Sequence, residues 1–509
     1  MDTATTRRGF LRTAATGSTL LGLGELSFLS GLPPVAAADA KLSSGVVPLP
    51  PEIEPLVRLL EETPRGRLLE EVAARVRRGL SYGETLTALL LAGVRNIQPR
   101  PQVGFKFHAV LVVNSVHLAS LSAADTDRWL PLFWALDYFK DSQARNQSEG
   151  GWRMKPVDEA AVPPAPKARQ AFSEAMDAWD ESAADAAMAG LARTAGADEC
   201  FELLYRYGAR DFRSIGHKAI FVSNSRRALS QIGWRYAEPV LRSLAYALLM
   251  HEGDNPAQRD DPADRPGRHN RKLAAQIPAD WQAGKPNREA TVELLAVLRQ
   301  GSNEAASEKA VELLRRGTAP QSIWDAVFLG AGELLLRQPG ILALHAVTMT
   351  NALHYAYCTS GDDLTRRLLL LQNAAFLPMF REAMQGRGGM REAAIDRLEA
   401  TPLSSKGRKA VEEIFTDVSR DRQAAVGKAL TYLQSEEAAG DLLAEARRLV
   451  LLKGNDPHDY KFSVAALEDC YHVSAGWRDR FLAASMVQLR GTGSPDNKLV
   501  ERARAALKD

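Results

Sequence analysis

The sequence predicts an all-α protein: a large multi-helix domain of about four divergent three-helix units, each with one histidine-bearing helix turned inward. Three observations predict it. Apolar residues recur at spacings of three and four over most of the 509 residues, the period of a helix with one buried stripe. Runs of strict alternation rich in Val, Ile and Thr are almost absent, which argues against half-buried strands. A histidine pattern also returns four times at nearly even spacing.

The first element is a leader. Thr6-Arg7-Arg8-Gly9-Phe10-Leu11-Arg12 matches the twin-arginine export signal, and a Gly- and Ala-rich stretch from Thr13 to Leu32 leads to Ala36-Ala37-Ala38-Asp39-Ala40. That is the layout of a cleavable signal, so residues 1–40 read as signal peptide, cut after Ala38 or Ala40, and residues 41–509 as the mature all-α domain. The expected location is periplasmic or otherwise exported, with the twin-arginine machinery as one partner. No later run approaches the roughly 20 apolar residues that span a bilayer, so no stable span is expected in the mature chain.

Helical spacing then continues through Glu52–Glu62, Arg65–Arg78, Gly83–Val94, Ala168–Trp179, Ala183–Arg193, Glu199–Tyr207 and Arg235–Met250. It resumes through Glu289–Leu298, Glu304–Arg316, Gln321–Leu336, Asp363–Arg381 and Gln423–Leu452. Ser182 and Ser322 are candidate caps, and Pro320 and Pro457 sit where a first helical turn begins. FVSN at 221–224 and HAVLVV at 108–113 are rich in β-formers but flanked by helix-like sequence, so both read as buried helix. Ser142–Pro166, Gly253–Pro286 and Gln385–Gly389 read as loops. The 253–286 insertion is long for a compact domain and reads as a lid or a disordered excursion.

The four pattern copies are FHAVLVVNSVHLA at 107–119, GHKAIFVSNSRRA at 216–228, LHAVTMTNALHYA at 344–356 and PHDYKFSVAALEDCYH at 457–472. Each opens on a histidine (His108, His217, His345, His458) and closes on an Asx-x-x-His or Asx-x-x-Arg pair: Asn114/His117, Asn224/Arg227, Asn351/His354 and Asp469/His472. The leading histidines lie 109, 128 and 113 residues apart, with an amphipathic stretch before and after each. That period exceeds ordinary solenoid repeats and favours a closed arrangement with the histidine helices toward the middle.

Helix geometry divides these residues into two layers. Nine residues turn about 900°, which sets His108 against His117, and His345 against His354, on opposite faces. The Asx-x-x-His pairs share a face, and His458 and His472, fourteen apart, return to nearly the same one. An Asx one turn before a histidine is placed to accept its second ring N–H, fixing the tautomer as groups around metals do.

Histidine is the commonest protein metal ligand. Several convergent imidazoles suit iron, copper or zinc, and two from facing helices suit a haem. His108, His217, His345 and His458 are therefore the candidate metal ligands, with His217, His345 and His458 the candidate catalytic groups. His117, His354, His472 and Arg227 are candidate cofactor contacts, and Asn114, Asn224, Asn351 and Asp469 the groups that orient them. Cys358 and Cys470 lie beside His354 and His472 but read more naturally as small hydrophobes. Phe107, Trp134, Phe221 and Tyr355 would wall an apolar pocket.

Much else is excluded. The net charge of +2, with both signs mixed, does not indicate nucleic acid. Three cysteines make no disulfide scaffold. Walker, GxSxG, HExxH, kinase and dinucleotide fingerprints are missing, as is the Glu-plus-ExxH set of di-iron bundles.

The stretch IWDAVFLGAGELLLRQPGILALHAVTMTNALHYAY, with RSIGHKAIFVSNSRRAL and DPHDYKFSVAALEDCY, resembles the questin oxidase-like family. In that family a G-H-x-x-I segment, an H-A-V-T segment and a late D-x-H segment recur within a helical fold. The parallels rest on His217, His345 and His458. The resemblance implies oxygen-using, Baeyer–Villiger-type oxidation of an aromatic or polyketide substrate. No flavin fingerprint is present, so such chemistry calls for a metal or a cofactor-free route.

The expectation is an exported oxidoreductase, of oxidase or monooxygenase type, whose histidine-lined pocket binds a transition metal or haem and acts on a small apolar or aromatic substrate. The competing expectation is a non-catalytic helical binding or scaffold protein whose histidines make buried hydrogen bonds.

Overall fold

The computed structural model describes residues 45–100, 106–435 and 439–508; the signal-peptide reading of residues 1–40 lies outside them. Among the described residues the chain is all helix and turn, with one isolated bridge between Lys285 and Thr318. In chain order the helices are α1 (Glu54–Glu62), α2 (Arg65–Val76), α3 (Tyr82–Asn96), α4 (His108–Leu111), α5 (Val113–Leu121) and α6 (Leu130–Ser148). Then come α7 (Ala165–Ala178), α8 (Glu181–Thr194), α9 (Ala197–Gly208), α10 (His217–Ile232), α11 (Ala237–Leu248) and α12 (Arg265–Ala274). These are followed by α13 (Arg288–Gln300), α14 (Asn303–Arg315), α15 (Pro320–Arg337), α16 (Ile341–Thr359) and α17 (Asp363–Gln385). The last are α18 (Gly407–Arg420), α19 (Arg422–Gln434), α20 (Ala439–Lys453), α21 (Pro457–Asp469), α22 (Ala475–Ser485) and α23 (Lys498–Lys508).

The helices that carry the four histidines form a closed ring. α10 packs on α16, α16 on α21, α21 on α5, and α4 and α5 on α10. Each is also packed against the helix before it and the helix after it. Sequence explains why α16 lies at the centre: it is apolar nearly all round, with Leu342 to Leu353 buried without interruption, and a helix without a polar face has to be covered on every side. At the rim, α1 and α2 keep a single buried stripe (Leu56, Val57 and Leu60; Leu68, Leu69, Val72 and Ala73).

Several boundaries differ from the sequence reading. Asp180, not Ser182, caps α8, and the Ser322 hydroxyl lies inside α15 and accepts the Asn287 N–H. α6 runs on to Ser148 because Ser142, Gln143 and Asn146 are buried on its inner face, so the loop begins later than Ser142. The span Gln423–Leu452 is two helices, α19 and α20, because α19 ends at Ser435. α21 stops at Asp469, so His472 sits in a turn beyond its end and the fourteen-residue face relation to His458 does not apply.

The 253–286 insertion is not a disordered excursion. It contains α12 and is clamped to the loop that precedes His217: the Phe212 N–H bonds the Ala263 carbonyl at 3.0 Å. The Arg213 guanidinium grips both oxygens of Asp264 at 2.6 and 2.7 Å and reaches Asp261 at 3.0 Å. Beneath it Asp211, fully buried, holds Lys218 at 2.9 Å and Arg213 at 3.3 Å. Burial pushes the Asp211 carboxyl up, but the surrounding cations outweigh it and hold it below the ordinary carboxylate value.

Replacing Asp211 with Asn leaves Lys218 buried without its counter-charge and is expected to cost about 3–5 kcal/mol in urea unfolding. Because the folded-state pKa of Asp211 lies below the unfolded value of about 3.9, its contribution is present above that pH. It is lost as the pH falls through the lower folded value, and the acid limb of the wild-type stability profile should be flatter in the variant.

Candidate metal centre

His217 opens α10, and its ring is aimed by a strained turn. Ser214, Ile215 and Gly216 have φ of 56°, 46° and 83°, three left-handed residues in succession, a conformation that costs non-glycine residues energy and persists only where the surroundings hold it. It turns the Ser214 carbonyl toward the ring, which accepts the His217 Nδ1–H at 2.6 Å. In α16 the Ile341 carbonyl, one turn back, accepts the His345 Nδ1–H at 2.6 Å. At the start of α21, Pro457 fills the first turn and Asp456 caps it, accepting the His458 backbone N–H at 2.8 Å and its Nδ1–H at 2.5 Å. His108 begins α4, fully enclosed.

These anchors converge the rings. His217 Nε2 lies 3.1 Å from His108 Nε2 and 3.0 Å from His345 Nε2, and one donor atom from each of the four residues lies within 4.8 Å of the other three. Around the ring the centroids are 5.0 Å apart for His108–His217, 4.4 Å for His217–His345, 5.0 Å for His345–His458 and 4.7 Å for His458–His108. A carbonyl only accepts, so the protons of His217 and His345 sit on Nδ1 and their Nε2 atoms present lone pairs to each other. Such a contact is repulsive unless a proton or a cation lies between. His458 Nε2 is buried with no hydrogen-bond partner.

Burial holds His217 and His345 well below the usual imidazole range, reinforced by the nearby Lys461, and lowers His458 against the pull of Asp456. These three rings are therefore neutral, as metal ligands have to be. Nitrogens bound to one ion at about 2.1 Å lie about 3.0 Å apart at right angles and about 3.4 Å apart in a tetrahedron. The 3.0 and 3.1 Å separations match the right-angled case. The closed ring leaves no slot for a porphyrin between two of the imidazoles, so haem, one of the two expected cofactors, does not suit this centre.

The Asx positions form a second layer, bonded differently from the sequence reading. Asn114 Nδ2 donates to Asn224 Oδ1 at 3.4 Å, Asn224 Nδ2 to the Leu111 carbonyl at 3.0 Å, and Asn351 Nδ2 to Asp469 Oδ1 at 2.7 Å. They tie helix to helix across the ring rather than orienting the histidines three residues on, which project a turn further out. His117 faces the Tyr82 hydroxyl at 3.3 Å. His354 lies against Trp324, Phe328 and His472, with Cys358 Sγ 3.6 Å from its Nε2; burial pushes it down to about 3. Arg227 pairs with Glu468 at 2.8 Å and covers the Tyr355 ring. Thus His117, His354, His472 and Arg227 lie away from the quartet.

Phe107 and Phe221 pack edge to face at 4.8 Å and Trp134 packs on Tyr460, so they belong to the core around the ring rather than to one pocket wall. Cys200 and Cys470 are buried and Cys358 is exposed, all three as free thiols. The residue that sequence reading missed is Lys461: fully buried, its Nζ has no hydrogen-bond partner. It stands three residues after His458, a spacing that puts it on the same face.

The chain matches no known protein family, no curated protein and no solved structure. The likeness to questin oxidase-like sequences therefore rests on His217, His345, His458 and their neighbours alone.

A Cβ added at Gly216 would meet the Met349 side chain at 2.6 Å on a φ of +83°. Gly216→Ala is expected to cost about 1–3 kcal/mol from overpacking, with strain added, and to shift His217. Chemical denaturation reads the first effect, and the His217 imidazole resonance the second.

Proposed function

We propose that the His108, His217, His345 and His458 quartet binds one transition-metal ion and that the protein is a metal-dependent oxidoreductase. The observation that carries this reading is the convergence of neutral ring nitrogens whose outer N–H groups are already committed. The two separations near 3.0 Å suit right-angled nitrogens at copper(II) or nickel(II), with iron and zinc also at home on imidazole; copper is the redox-active best match. Four uncharged ligands in a buried site favour the lower oxidation state of an ion, because nothing in the ligand set offsets added charge.

Substrate binding is supported by a groove of about 350 Å³ between α5 and α21, lined by Leu118, Leu121, Val450, Leu467 and Tyr471. Its size and apolar lining suit a small apolar or aromatic molecule. Val464 borders both this groove and the small cavity beside the quartet. The oxidation chemistry that the family likeness implies agrees with such a substrate. Export through the twin-arginine route agrees with a cofactor loaded before transport.

A second reading, a non-catalytic helical protein in which the quartet is structural, is favoured by the closure of the ring around its own centre, since structural sites are closed and catalytic ones keep a position open. Elemental analysis with absorption and electron paramagnetic resonance spectra comes first. About one equivalent of copper is the expected result, silent in electron paramagnetic resonance as copper(I) and showing nitrogen hyperfine structure once oxidised to copper(II). A protein that is metal-free as purified and takes up no copper, iron or zinc would sink the proposal.

His217→Ala and His345→Ala should each abolish metal retention in a folded protein. If they lose only the roughly 1–3 kcal/mol of a buried hydrogen bond and metal content stays unchanged, the structural reading stands instead. Intact mass of the exported protein is expected to give an N-terminus at Asp39 or Lys41, and retention of the leader in the cytoplasm would refute the export reading.

A further inference from the structure

At the level of the Asx layer lies a cavity of about 10 Å³, bordered by Asn114, Asn224, Asn351, Arg227, Thr348 and Lys461, room for one small occupant. Lys461 contributes an ammonium that is fully buried and makes no hydrogen bond among the described residues. The carboxylates nearby are engaged elsewhere: Asp456 by the His458 ring at 2.5 Å, and Glu468 by Arg227 and Asn351, each at 2.8 Å. No carboxylate borders the cavity. Asp456 acts on Lys461 only from a distance, and a buried charge with no acceptor and no counter-ion in contact is costly. A water would supply the acceptor but not the counter-charge.

We propose that this cavity binds a single halide ion against the Lys461 ammonium. The cavity selects by volume: a carboxylate or phosphate exceeds one water-sized site. Arg227 also borders the cavity, with its own charge met by Glu468 at 2.8 Å. Burial draws the Lys461 ammonium down to about 7 against the pull of Asp456, and an anion beside it opposes that burial further. The inference stands on the cavity and Lys461 whatever the quartet holds, so it is separable from the metal reading.

The test is anomalous diffraction at the bromine edge from crystals of the full chain soaked in sodium bromide, for the wild type and Lys461→Met. Methionine keeps most of the side-chain volume and removes the buried charge, a change that folds tolerate. The expected result is a bromide peak within hydrogen-bond reach of Lys461 Nζ in the wild type and its loss in Lys461→Met. A cavity without a bromide peak in the wild type overturns the proposal, and this outcome needs no variant. A peak that survives in Lys461→Met overturns it equally. Scans of the same crystals at the copper, iron and zinc edges report the quartet independently.

Discussion

Everything at the centre of this molecule depends on where four imidazole protons go. Two are drawn outward by backbone carbonyls, of Ser214 and Ile341, and a third by the Asp456 carboxylate. Each such bond fixes one tautomer and turns the opposite nitrogen inward, so the lone pairs of His217 and His345 meet at 3.0 Å. That contact is unfavourable by itself and becomes favourable around a cation. The surrounding helices supply what makes the arrangement hold: burial that keeps the rings neutral, and packing tight enough to forbid their retreat.

The three anchors are of different kinds. His345 uses its own helix, accepting no help from the rest of the chain. His458 uses the cap of its helix, where Asp456 serves both the backbone and the ring. His217 relies on three left-handed residues that the clamp from Arg213 to the 253–286 insertion holds in place. The ion pairs of Arg213 flank that turn, which gives the long insertion a positioning role.

The all-α class was legible because helical spacing runs through nearly every segment, and the four leading histidines were legible because they head equivalent stretches. Their separation from His117 and His354 followed from nine residues of helical turn. What escaped the sequence is whatever depends on contacts between segments. The Asx residues bond across the ring instead of along their own helices, since neighbouring helices offer partners at 2.7 to 3.4 Å. The end of α21 at Asp469 removed His472 from the expected face. Lys461 carried a usable signal, its three-residue spacing from His458, but a lysine among apolar residues reads by default as solvated. The strain at Ser214 and Ile215 leaves no mark in composition at all.

The ring closes between its first and last members: α4 and α5, near the start of the described chain, meet α21, near its end. The outermost helices repeat this meeting, with α23 laid on α2 and Arg502 gripping Glu70. The quartet is thus a contact of very high sequence separation, of the kind that forms late in folding because the intervening chain has to be ordered first. Nascent or truncated chains hold three of the four imidazoles at most. An ion held by all four would therefore mark a completed chain, and its capture would lock the two ends of the molecule together with the affinity of the site.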